Sequence, residues 1–135
     1  MAREATKIEL YGDNNDGGNR RFTVASNAAI VKGTFLKFAG PRTASASAGT
    51  GDFFAGIASM EKVNNDYSTS ISAWTNGIFE CTASGAITAG DLLKSAAPGN
   101  YVITCTTNAT SQAVVIGYAL ETAAADETLA VRINV

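Results

Sequence analysis

The chain has 135 residues, a formal net charge of −2 and only 16% charged residues. This length fits one domain, or one domain with an arm, and is enough to bury a core. No basic block and no membrane-length apolar run is present, so we expect neither nucleic acid nor a membrane as partner. The absence of histidine removes the commonest general base and metal ligand, and we expect no enzyme, cofactor or bound metal.

The first 21 residues predict an extended arm. The segment KIELY alternates, placing Ile8 and Leu10 on one side, and GDNNDGGN then predicts a turn or hinge. Such an arm favours strand addition to another chain, with apolar anchors at Ile8, Leu10 and Tyr11. An edge strand on the protein's own barrel and a disordered tail are the alternatives. The run Asp13, Asn15, Asp16 lacks the spacing of a calcium loop, since Val24 stands where a bidentate Glu is needed.

The next segments have strand patterns. The stretches RFTVAS and STSISAW alternate between apolar and polar residues, whereas TFLKF and FFAGIA are short apolar runs, the latter typical of a strand buried on both faces. The same kinds of pattern return in FECTAS, DLLKS, AVVIGYAL and TLAVRINV, of which AVVIGYAL again reads as buried on both faces. We therefore predict roughly eight strands, four in each half of the chain.

The second half repeats the first. AIVKGTFLK at 29–37 and AITAGDLLK at 86–94 share five of nine positions at an offset of 57, which also matches Phe22 with Phe79. FFAGIAS matches VVIGYAL at an offset of 61, and STSISAW matches ETLAVRI loosely at 59. Residues 22–135 therefore form one β-domain built from two similar halves, 22–78 and 79–135.

Gly33 and Gly90 occupy matching positions in the repeated phrase. We interpret them as turn glycines at matching corners, because glycine adopts turn conformations that a Cβ disfavours. The phrase lacks the spacing of a phosphate-binding loop and no helical pattern follows it. Its repetition therefore indicates a structural role. The expected fold is all-β: a small β-barrel, β-tulip-like domain or sandwich.

Cys81 and Cys105 are too few for a disulfide scaffold. We expect both to be buried with free thiols, although a disulfide between them or to a neighbouring chain stays open. Trp74 has two interpretations, core packing and an interface anchor, of which core packing is favoured. The N-terminus lacks the apolar stretch of a signal peptide, so we expect the protein to be made and kept in a cytosol, or packaged there.

Three stretches together resemble the head decoration proteins of tailed bacteriophages, also called capsid cement proteins: AITAGDLLK, FFAGIAS, and the ending AVVIGYALETAAADETLAVRINV. In that family the chain typically ends in an apolar strand with Gly, then Ala-Leu-Glu, an acidic turn and a final alternating strand. Here Gly117, Ala119, Leu120, Glu121 and residues 131–135 match that ending. The resemblance covers residues 22–135 and rests on motifs that shape the fold.

The resemblance implies a virion protein on the outer surface of the phage capsid. It implies binding to the major capsid protein, bridging of neighbouring capsid subunits, and assembly as a homotrimer. The arm would then supply the capsid contact. Two alternatives stay open: another virion structural protein, such as a tail or baseplate component, and a non-catalytic β-rich binding module. Four aromatic residues are candidates for a carbohydrate surface, but they are spread over different strands: Tyr67, Trp74, Tyr101 and Tyr118.

Overall fold

A computed structural model of the chain describes residues 4–10, 20–96, 99–105 and 114–134, with the side chain of Leu10 left out. Within these ranges the chain is all-β, as predicted, and has eleven strands. The strands are β1 (Thr6–Leu10), β2 (Arg20–Thr23), β3 (Phe35–Gly40), β4 (Thr43–Ala46), β5 (Phe54–Ala58), β6 (Ser70–Trp74), β7 (Asn76–Ala83), β8 (Leu92–Ala96), β9 (Tyr101–Thr104), β10 (Val115–Ala119) and β11 (Thr128–Asn134).

The strands close into two small barrels. The first barrel is the ring β2-β4-β3-β5-β6, and the second is the ring β7-β9-β8-β10-β11. In both rings the pairs are antiparallel except for the pair of first and third strands, β2–β4 and β7–β9. The connectivity is therefore identical, and the predicted construction from two similar halves is confirmed, with each half closed into its own barrel. Only Thr75 separates β6 from β7, so the predicted boundary after residue 78 falls inside β7.

Each barrel has one strand more than the four predicted. The additional strands are β4 and β9, and β1 brings the total to eleven. The sequence of β4, TASA, is small and polar, so it read as part of a loop. Its strand conformation comes from pairing with β3 on one side and β2 on the other. The pairing with β2 joins residues that are distant in the chain and leaves no local pattern, whereas β3 is joined to β4 by a short turn at Pro41 and Arg42.

The pairing registers refine the repeat. Phe35 lies opposite Ile57 in the first barrel, and Leu92 lies opposite Tyr118 in the second, which confirms the offsets of 57 and 61. Gly56 and Gly117, which share the unusual φ values of +154° and +156°, also match at 61. These offsets assign residues 35–39 of β3 counterparts in β8, and every residue of β5 a counterpart in β10.

Two of the sequence matches are corrected. Ala58 pairs with Ala73, and its counterpart Ala119 pairs with Val131, so β6 matches β11 at an offset of 58 and not 59. The match between β2 and β7 also changes. The parallel pairs are Thr23–Thr43 in the first barrel and Thr82–Tyr101 in the second, so Thr23 corresponds to Thr82. Phe22 therefore corresponds to Cys81 and not to Phe79. Side chains alternate between the two faces of a strand, so a match shifted by one residue would place interior side chains on the outside. The offset of 59 is such a shift, and the observed pairing excludes it for β6.

Two apolar clusters fill the molecule. The smaller cluster is the interior of the first barrel and includes Phe22, Leu36 and Ile71. The larger cluster combines the interior of the second barrel with four side chains from the outside of the first: Phe35, Phe54, Ile57 and Trp74. We call these four the packing face. Through it the first barrel packs against the second, and the rings of Trp74 and Phe79 meet with centroids 5.5 Å apart.

Candidate functional site

The N-terminal segment forms an edge strand on the second barrel. β1 pairs antiparallel with β7, with Thr6 opposite Glu80 and Leu10 opposite Gly77. This is the edge-strand arrangement that the sequence left open as an alternative. Since β1 ends the order of strands, its outer edge has no strand partner among the residues that the structure describes. A free edge of this kind can receive a strand from another chain.

Of the three predicted arm anchors, the structure describes the side chain of one. Ile8 lies in β1 with its side chain exposed. The backbone of Leu10 ends the same strand, whereas its side chain lies outside the described residues, as does all of Tyr11. The acidic run Asp13, Asn15, Asp16 also lies outside them. The structure thus places one of the three predicted side chains at the surface.

Gly33 fastens the start of this strand to the first barrel. Its carbonyl accepts a hydrogen bond from the amide of Ala5 at 2.9 Å, and a Cβ on Gly33 would lie 2.6 Å from the Ala5 carbonyl oxygen. Gly90, its counterpart, has nearly the same φ, +95° against +93°, but nothing lies within 4 Å of the place of its Cβ. Both corners need a residue that tolerates positive φ, and only the first also needs the space.

Trp74 lies where the arm meets both barrels. It is buried in the larger cluster, which confirms the core interpretation. The ammonium of Lys7, from β1, lies 5.7 Å from its ring centroid, and that of Lys32 lies at 5.6 Å. Two cations over one ring are favourable contacts that also hold the arm in place. Neither lysine was a candidate from the sequence, because the contacts join residues distant along the chain.

Lys62 is a buried lysine that the sequence did not single out. Its ammonium donates to the carbonyls of Ser26 and Ala28 at 2.9 and 3.1 Å and pairs with Asp66 at 3.0 Å. A hydrogen bond from the Ser68 amide, followed by the bond from Lys62, lowers the pKa of Asp66. The counterpart of Lys62 in the second barrel is Ala123, so the repeat does not require the lysine. These partners give it a structural role.

Asp52 stabilises the loop that reaches the second barrel. Its carboxylate accepts hydrogen bonds from the Ser47 hydroxyl and from the amides of Ala48 and Gly49. Burial acts to raise the pKa of Asp52, but these bonds outweigh it and the pKa is lowered. Gly51 in the same loop donates its amide to the Ser95 carbonyl at 3.0 Å. The carboxylate thus orders a contact between the barrels.

Both cysteines are buried and free, as expected. Burial raises the pKa of the Cys81 thiol to about 12, with a smaller contribution from Glu80, so the thiol stays protonated at neutral pH. Among the described residues no group of three or more His, Cys, Asp or Glu side chains could hold a metal ion. No helix in the described ranges is long and apolar enough to cross a membrane.

One sequence interpretation is wrong. AVVIGYAL was expected to be buried on both faces, but the Tyr118 side chain is 43% exposed, and Leu120 is also exposed. The matching strand β5 is buried along its whole length because its outer side belongs to the packing face. A sequence signal existed: Tyr118 replaces Ile57, and Leu92 replaces Phe35, at the matched positions. Only the structure shows which copy is covered.

Comparison with known proteins defines the class. Residues 15–135 match the sequence model of the phage cement protein family. That match covers most of the chain, and the chain belongs to the phage cement protein family. Its fold is similar to the crystal structure of the head fiber gp8.5 N base in bacteriophage phi29. The TM-score is 0.55 at 16% identity over 86% of this chain and 92% of that one.

At that identity the structural likeness shows the fold alone, and no curated protein matches the chain. The family nevertheless confirms the resemblance found in the sequence. The protein is a phage structural protein that associates with the capsid.

Proposed function

We propose that this protein binds the outer surface of the assembled phage head and stabilises it by bridging major capsid subunits. Family membership is the observation that carries this proposal. A protein that binds the mature shell and not its earlier states stabilises that shell by mass action. Many weak contacts repeated over a lattice add up, so no single contact needs high affinity. A tail or baseplate role receives no support from any feature of the described residues.

The arm supports a specific contact within this proposal. β1 offers an edge without a strand partner among the described residues and the exposed side chain of Ile8, and Gly33 holds its start in place. A strand from a capsid subunit would extend the sheet along this edge, with Ile8, Leu10 and Tyr11 as apolar anchors. Because β1 is already ordered on β7, less conformational entropy is lost on binding than for a free tail. The homotrimer implied by the sequence resemblance is part of the same proposal.

Co-sedimentation with expanded, DNA-filled heads that lack the protein tests the proposal. Binding should saturate at a fixed ratio to the major capsid protein, and decorated heads should resist heating better than bare heads. Ile8→Glu should weaken binding about tenfold or more, because it places a charge at an apolar contact. Val63→Glu, a charge at another exposed apolar residue, is the matched control.

Folding of each variant is checked by its urea unfolding midpoint. No saturable binding by the folded wild-type chain would refute the surface role. Equal binding by wild type and Ile8→Glu would refute the arm contact and leave the surface role standing. The mass of the protein released from saturated heads reports whether it binds as a trimer.

A further inference from the structure

The two barrels differ in which outer face is covered. The four positions of the packing face have counterparts in the second barrel through the matched registers: Leu92, Val115, Tyr118 and Arg132. We call these four the counterpart face. Phe35 and Ile57 are fully buried, whereas Leu92 and Tyr118 are 49% and 43% exposed. The second barrel therefore exposes the surface that the first barrel buries.

The end of the second barrel receives the packing face within the chain. At this end Ser95 and Ala96 are buried. The Ser95 carbonyl accepts the Gly51 amide, and the Asn100 side-chain oxygen accepts the amide of Phe35 at 2.9 Å. A Cβ on Gly99 would lie 2.7 Å from the Ser47 carbonyl, so the backbones approach closely here. We call this the covered end of the second barrel.

The same end of the first barrel is open. Phe38 is the counterpart of Ser95 at the offset of 57, and its side chain is 45% exposed. Phe53, which precedes β5, is 53% exposed, and its carbonyl accepts the amide of Phe38 at 3.0 Å. Ala39 is exposed where its counterpart Ala96 is buried. These residues form the open end: a shallow depression of mixed character that Lys37 and Asp52 also line.

The side chains on these surfaces differ in size. The packing face consists of large residues, and the covered end includes the small buried residues Ser95 and Ala96. On the free surfaces, the counterpart face is smaller at Leu92 and Val115 and larger at Tyr118, while the open end is larger at Phe38 and Phe53. Close packing depends on the summed volume at a contact, so the larger residues of the open end compensate in part for the smaller ones of the counterpart face.

We propose that the counterpart face of one chain docks on the open end of a second copy of the same chain, repeating between copies the contact that joins the two barrels within one. The two surfaces are different patches of the molecule, so the contact is head-to-tail. Such contacts form a closed ring where the rotation allows it, and an open chain otherwise. This contact is between copies of the protein and needs no capsid, so its failure would leave the capsid role untouched.

Sedimentation velocity of the full chain, from about 1 µM to about 1 mM, measures the association. Wild type should change from monomer to a larger species. Tyr118→Glu, on the counterpart face, and Phe53→Glu, at the open end, should each raise the dissociation constant roughly 30-fold or more. The controls are Tyr67→Glu and Val63→Glu, which place the same charge at exposed apolar or aromatic residues outside both surfaces. Both controls should associate like wild type.

Mixing the two variants identifies the geometry. Tyr118→Glu keeps an intact open end, and Phe53→Glu keeps an intact counterpart face, so an equimolar mixture should form a heterodimer and nothing larger. Unfolding midpoints of the variants establish that both are folded. A wild type that stays monomeric over the whole range would overturn the proposal. So would variants that associate normally, or a mixture that stays monomeric. Loss of head binding by Tyr118→Glu, with wild type monomeric throughout, would assign this surface to the capsid.

Discussion

The first and second barrels have one connectivity and matching corner glycines, yet the surroundings of their corners and outer faces differ. The corner glycine of the first, Gly33, contacts the arm, whereas Gly90 faces open space. Phe35 is buried between the barrels, and Leu92 is half exposed. The two halves therefore share the strand pairing and the corner glycines that close each barrel. They differ in the contacts that each barrel makes on its outside.

The largest effect is expected where matched positions differ in burial. Phe35→Ala should lower the free energy of unfolding by about 3–5 kcal/mol, because it leaves a cavity between the barrels. Leu92→Ala should cost about 1 kcal/mol or less, since half of that side chain is already in water. Urea unfolding measures both. The interior pair Leu36→Ala and Leu93→Ala is the control, and these two should cost nearly the same. Equal losses for Phe35 and Leu92 would contradict the asymmetry.

The variants of the two corner glycines should differ less in their free energies of unfolding than Phe35→Ala and Leu92→Ala. Gly90→Ala should cost about 1–2 kcal/mol from positive φ alone. Gly33→Ala adds a clash with the backbone of Ala5, for a further cost of about 1–3 kcal/mol. Hydrogen exchange should show β1 amides losing protection in Gly33→Ala and keeping it in Gly90→Ala. Equal protection of β1 in both variants would show that this glycine does not hold the arm.

Lys62 offers a smaller test of what the first barrel adds to the repeat. Lys62→Met should cost about 1–3 kcal/mol, because the carbonyls of Ser26 and Ala28 lose their donor. Ala123→Met places the same methionine at the counterpart position and shows its effect where no buried ammonium is removed. Thermal unfolding compares the two. An Lys62→Met protein as stable as wild type would show that the lysine is dispensable here, as it is in the second barrel.

The smallest effect is a pH dependence. The folded pKa values of Asp52 and Asp66 lie below the ordinary 3.8, so the stability that these groups contribute is fully present above that value and is lost as pH falls through the folded pKa. Asp52→Asn should therefore show a smaller loss of stability than wild type between about pH 5 and about pH 3. Urea midpoints at the two pH values measure this. Parallel losses in both proteins would contradict the role of Asp52.

The sequence predicted the all-β class, the two halves and the matched corners because these depend on local features. Side-chain alternation marks strands such as β6 and β11, and glycine marks the turns at Gly33 and Gly90. It missed β4, whose short polar sequence forms a strand only through its partners. Its arm hypothesis was incomplete for the same reason, since pairing of β1 with β7 joins residues about seventy positions apart.

By itself, then, the sequence determined the all-β class, the two similar halves and the family, because these are carried by short-range patterns, most of which occur in both halves of the chain. Tertiary structure alone decided which copy of each surface is buried. Phe35 and Leu92, or Ile57 and Tyr118, have similar local sequences and the same place in their barrels. Their exposure depends on how one barrel packs against the other, and that packing is a sum of contacts between residues far apart in the chain. The free surfaces that result are where partners can bind.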